Sequence, residues 1–164
     1  MIIKGSEFTP APEGVHNAVC VDVVDLGMVE NMWGKKHQLK VVWEIEAQME
    51  DGRRFIVQKR YSASLHEKST LSKDLKSWRG RAFTADELKG FDMEKVVGVA
   101  CQLVVIHNEK EGAIYANIQS ILKAGPTRLT PSGSYKRVKD RPADQRGATH
   151  HTSDPEKEPE EIPF

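Results

Sequence analysis

Cysteine is scarce in this chain, occurring only as Cys20 and Cys101 among 164 residues. The two lie far apart inside apolar, strand-like runs, where they read as buried free thiols, with a disulfide as the alternative; a metal site lacks further ligands beside them. Long apolar runs are missing as well. No stretch approaches the ~20 residues of a membrane span, and the opening "MIIKGSEF" has neither the apolar core nor the cleavage pattern of a signal peptide. No membrane partner is expected, and the expected compartment is the cytoplasm. Catalytic patterns are also absent. "HEKST" (66–70) begins like a zinc-protease motif, but Thr70 stands where the second imidazole is needed, and "GMVENMWGKK" (27–36) has too long a spacer for a phosphate loop and no Ser or Thr after Lys35. CxxC, GxSxG and GxGxxG do not occur, and His150 and His151 read as a solvated pair. Neither an enzyme nor a metal or other cofactor is expected.

Net charge is missing too, at zero overall, yet the charges are segregated. Residues 1–122 carry 16 Lys/Arg against 17 Asp/Glu, residues 123–151 carry 7 against 2, and residues 152–164 carry 1 against 5. Six of the eight prolines follow Gly125, and beyond that point apolar residues show neither helical nor strand period. Such a composition buries too little surface to offset its ordering entropy. The expected organisation is a folded domain over 1–123, a basic flexible linker over 124–151 and an acidic tip over 152–164.

Within the domain, period-two patterns dominate. "VHNAVCVDVVDL" (15–26) and "HQLKVVWEIEA" (37–47) read as strands, the second with Leu39, Val41, Trp43 and Ile45 on one face. The Asp-Gly turn at 51–52 leads into "RRFIVQKRYSA", completing a hairpin. "GVACQLVVIHN" (98–108) and "GAIYANIQSIL" (112–122) make a second one. Between them Leu71, Leu75 and Trp78 recur at helical spacing, with Ser69 as N-cap and Gly80 as stop. A shorter helical turn follows, opened by Thr84 with Glu87 as its capping-box partner. The order strand, strand, strand, helix, strand, strand predicts a mainly β fold, a five-stranded OB-fold barrel with its helix between strands three and four, followed by a disordered C-terminal tail. A small α+β sheet with the helix across one face fits the same order.

An OB barrel binds single strands along strands two and three and with the loops joining strands one to two and four to five. The first of those loops carries Trp33 followed by Lys35 and Lys36, a ring for a base to stack on beside cations for phosphates. Strand three adds Arg54, Lys59 and Arg60, and strand five turns Tyr115 outward if Ile114, Ala116 and Ile118 face the core. Trp43 and Trp78 read as core. Arg79 and Arg81 flank Gly80, where capping of helix carbonyls competes with phosphate binding.

The last residues, "EPEEIPF", resemble the tip of bacterial single-stranded DNA-binding proteins, in which an OB domain and a flexible linker end in an acidic stretch and Ile-Pro-Phe. Glu160 and Glu161 stand in the acidic lead-in, and Ile162, Pro163 and Phe164 match outright. The segments "GSEFTPAPEGVHNAVCVDVVDLG", "KRYSASLHEKSTLSKDLKSWRGRAF" and "YANIQSI" are similar to phage and prophage single-strand-binding or recombination-associated proteins. The resemblance implies a protein that coats single-stranded DNA during phage replication and recombination in the nucleoid of a bacterial host. It also implies a tip that docks on host replication, recombination and repair proteins, with Phe164 in an apolar pocket and the carboxylates against a basic rim. The domain departs from the housekeeping bacterial family, which leaves homo-oligomerisation open. The alternatives are an adaptor of the replication machinery that binds only protein, and a small RNA-binding module.

Overall fold

A computed structural model describes residues 9–142. They form one antiparallel sheet of five strands: β1 (Gly14–Asn31), β2 (Gly34–Gln48), β3 (Arg54–Ser62), β4 (Ala100–Lys110) and β5 (Ala113–Lys123), in the order β3-β2-β1-β4-β5. Two helices, α1 (Thr70–Arg79) and α2 (Ala85–Lys89), sit between β3 and β4, followed by a 3-10 turn at Met93–Val96. The mainly β expectation and the element order hold. The sheet has β3 and β5 as its edges; their backbones approach within 8 Å, Cα to Cα, without sharing a ladder.

Helix α1 fills the seam between these edges. Its start is capped by Ser69, whose hydroxyl accepts the Ser72 N–H, and its end by Gly80 at φ 77°, a left-handed conformation that an L side chain rarely adopts. Asp74 accepts from Lys59 (2.8 Å) and Tyr61 (2.7 Å) on β3, while Ser77 donates to the Ile121 carbonyl on β5 (2.6 Å) and the Trp78 indole to the Ala100 carbonyl (3.0 Å). Side chains thus link edges that backbone bonds do not. The apolar face of α1, Leu71, Leu75 and Trp78, meets Leu39, Val41, Trp43 and Ile45 in the main core. The Trp43 and Trp78 rings lie 5.8 Å apart at 53°, a tilted pair that adds about 1 kcal/mol beyond its buried area.

Cys20 and Cys101 are free thiols in this core. Burial is the main cause that pushes both thiols up, Cys20 to about 12, so neither forms a thiolate near neutral pH.

Two expectations from sequence are changed. The residues read as a loop at 27–36 are strand: β1 and β2 stay paired through Glu30↔Lys35 and Asn31↔Gly34, leaving a two-residue turn, Met32-Trp33. Because β3 pairs with β2 only from Gln38 onward and β4 with β1 only up to Val19, this hairpin projects as a two-stranded arm. Water on both faces removes the hydrophobic alternation by which a strand is recognised. The start of the expected flexible linker lies on the sheet. Leu129 and Tyr135 pack on Val19, Val21 and Val42, and two buried carboxylates bind the segment. Asp22 accepts from the Tyr135 hydroxyl, the Arg137 guanidinium and the Val138 N–H, each at 2.9 Å; Glu44 accepts from the Ser132 N–H (2.9 Å) and hydroxyl (2.6 Å).

Candidate functional site

Where β2 and β3 leave the sheet, an open groove of about 740 Å³ runs between them and the loop leading into α1. Lys36 reaches it from the root of the arm, Lys59 and Arg60 from β3, and His66 and Lys68 from the loop; no carboxylate lines it. The loop is held by its own bonds. Ser69 donates to the Ser64 carbonyl (2.7 Å), Ser64 accepts the His66 N–H (3.1 Å), and the His66 ring accepts the Lys68 N–H (3.2 Å). Pairing Gln38↔Ser62 and Lys40↔Arg60 fixes the strand wall.

The cations differ in availability. Lys59 is bonded to Asp74 and lies 5.3 Å from the centre of the Tyr61 ring, whose hydroxyl bonds the same carboxylate. Burial first, then Asp74, pushes the Tyr61 phenol far above its ordinary value, and the ring is core. Lys59 therefore brings a charge that is partly neutralised. Arg60 projects from the other face of β3 and is exposed, as alternation predicts.

Trp33 stands at the end of the arm with 82% of its surface exposed. Asn31 accepts the Trp33 N–H at 2.8 Å, which fixes the turn, and Lys35 and Lys36 follow on the paired strand. Met28 and Met32 are exposed nearby on the same hairpin. At its root Asp25 accepts the Gly27 N–H and contacts the His37 ring, both at 2.7 Å.

The remaining sequence candidates lie elsewhere. Arg54 is held on the other side of the sheet by the Thr130 carbonyl (2.6 Å) and Glu44 (3.3 Å), so it anchors the C-terminal segment instead of lining the groove. Tyr115 is exposed, as expected, near the turn of the β4–β5 hairpin. That hairpin extends past the start of β1 whereas the arm is built from its far end, so the two rings sit at opposite ends of β1. Ile114, expected in the core, is half exposed because the hairpin has run beyond β1 at that point. Arg79 bonds Glu87 (2.9 Å) and lies over Phe83, so its role is structural. Glu160, Glu161, Ile162, Pro163 and Phe164 lie outside the described residues.

Sequence reasoning missed Lys40, His66 and Lys68. The hairpin register could have found Lys40, since it pairs directly with Arg60. His66 and Lys68 belong to an aperiodic loop, and only the loop's fold brings them to the groove. The C-terminal segment was also missed as part of the site's surroundings. No helix among the described residues is long and apolar enough to cross a membrane.

Comparison with known proteins adds no assignment: no family model matches the chain, and no curated protein matches it. Fold and site define a mainly β protein with a basic groove and a projecting aromatic arm.

Proposed function

We propose that the chain is a non-catalytic single-stranded DNA-binding protein acting in phage replication and recombination. The observation that carries this reading is the groove that draws Lys36, Lys59, Arg60 and Lys68 together without a carboxylate in its lining, below an arm tipped with Trp33. Phosphates neutralise the cations and release counterions, while an exposed indole stacks on any base, contributing roughly 1–3 kcal/mol per base. Such a site favours unpaired strands, because a duplex keeps its bases stacked on each other.

The strand order supports the finer reading of an OB-type barrel. Joining β3 to β5 would close β3-β2-β1-β4-β5 into a ring, and α1 lies across that seam between them. In the same reading, Glu160, Glu161, Ile162, Pro163 and Phe164 form the signal that recruits host replication and repair proteins. That part rests on the sequence of the tip.

Intrinsic fluorescence tests the proposal directly. Trp43 and Trp78 are buried, so quenching by an added oligonucleotide reports mainly on Trp33. Titration with poly-dT is expected to give strong, salt-sensitive quenching, duplex DNA little, and Trp33→Ala to remove most of the signal. A matched RNA oligomer that binds more tightly than the DNA would move the reading to RNA. A flat titration with every nucleic acid would overturn it in favour of the protein-binding adaptor.

A further inference from the structure

A second open groove, of about 470 Å³, lies on the outer face of β2 and β3 against the C-terminal segment. Lys40, Arg53, Tyr135, Lys136 and Arg141 line it, together with Glu44. The one carboxylate in the lining offers little charge to a ligand, since Ser132 and Arg54 already donate to it and it is almost wholly buried. The two grooves abut at the cross-strand pair Lys40↔Arg60, with Arg60 lining the first and Lys40 the second.

Like charges directly opposite on a sheet are destabilising. Here neither cation forms an ion pair with a carboxylate among the described residues. Lys40 is pushed below its ordinary value first by burial, then by Arg60, with Arg141 acting in the same direction and Asp22 opposing. The fold therefore holds two cations face to face on one stretch of sheet, an arrangement that an anion would relieve. The segment carrying Arg141 is fixed in advance by the bonds to Asp22 and Glu44, so ligand binding need not order it. Arg141 lies over the Tyr135 ring at 5.3 Å and donates to the Lys136 carbonyl (2.9 Å), which holds its side chain beside the groove.

We propose that the strand-binding site continues from the first groove across Lys40 and Arg60 into the second, so that Tyr135, Lys136 and Arg141 contact nucleic acid. The ligand class is a phosphodiester single strand long enough to cross β2 and β3. This inference rests on the preceding functional reading and extends it to a segment whose composition reads as linker.

The test compares full-length wild type with a Lys136→Ala/Arg141→Ala double variant and with Lys139→Ala, an exposed cation of the same segment outside the groove lining. Each is titrated with dT oligomers of increasing length over a range of salt. Binding of the long oligomers by the double variant is expected to weaken roughly tenfold, with the slope of log K against log salt falling by about 1.4, or about 0.7 for each lost phosphate contact. Oligomers short enough to occupy one groove should bind the double variant and wild type alike, and Lys139→Ala should match wild type throughout. Unchanged affinity and slope in the double variant, with wild type still binding, would overturn the second groove while leaving the first. Equal weakening by Lys139→Ala would overturn it too, because diffuse charge would then explain the effect. If wild type binds no oligomer, both readings fall.

Discussion

At the scale of single residues, Asp22, Glu44, Asp74 and Glu87 are put to structural use. Glu87 shows how one carboxylate serves two elements. It accepts from Arg79 at the end of α1 (2.9 Å) and from the Thr84 N–H (2.9 Å) in the capping box that opens α2. The Arg79 hydrogen bond first, and the Thr84 N–H next, hold its carboxyl down at about 2, against an ordinary 4.5. A carboxyl with a depressed folded-state value adds stability above its unfolded value and loses it as pH falls through the folded one. Wild type should therefore lose thermal stability between pH 4.5 and about 2 more steeply than Glu87→Gln, which has no group to titrate there. At neutral pH, Glu87→Ala should cost roughly 3 kcal/mol, because it removes one half of a buried ion pair. Parallel pH profiles for wild type and Glu87→Gln would show that the pair does not couple to folding.

At the scale of elements, the C-terminal segment makes the sharpest difference between composition and structure. An apolar stripe is what marks a packing segment in sequence, and residues 126–141 have none. They are held mostly by polar bonds to Asp22 and Glu44, which sit next to Val21 and Val42 on the outer face of β1 and β2. A chain ending at Ala124 would lose those donors and return Val19, Val21 and Val42 to water together with the two carboxylates. It should be destabilised by up to roughly 1.5–3 kcal/mol for each valine returned fully to water. A chain ending at Pro142 keeps the bonds and should melt close to wild type. Equal melting temperatures for the two truncations would return the segment to the status of a linker.

The elements that were legible in sequence are those whose period is imposed by one buried face. Leu39, Val41, Trp43 and Ile45 alternate because one side of β2 is core, and Leu71, Leu75 and Trp78 repeat at helical spacing for the same reason in α1. Ser69, Gly80 and Thr84 announced the helix ends through backbone chemistry that is local to the sequence. The arm and the C-terminal segment escaped because neither has an apolar period. The site was half legible for a related reason. Alternation correctly separated Arg60 from Tyr61 on β3, but could not show that Arg54 would be taken by Thr130, 76 residues away.

At the scale of the whole molecule, the charge blocks acquire a different balance once the structure assigns partners. Arg137, counted within the basic block, is bonded to Asp22 and Glu94, which push its guanidinium well above the ordinary value, Glu94 most strongly. Among the described residues, the positive surface of the two grooves includes Lys36, Arg60 and Lys68 in the first and Lys40 and Lys136 in the second. The acidic end of the same chain, with Asp154, Glu156, Glu158, Glu160 and Glu161, is covalently tethered to that surface. A tethered anion competes as an effective concentration, and salt screens it, with a Debye length of about 30 Å at 0.01 M and about 8 Å at 0.15 M. Deleting residues 154–164 should therefore tighten binding of poly-dT at low salt and change it little at physiological salt. Phe164→Ala keeps every side-chain charge, so it should leave DNA affinity at wild-type level while abolishing any docking of host proteins. Equal affinity of full-length and truncated chains at every salt concentration would refute the competition. Loss of affinity on truncation would instead make the tip part of the binding surface.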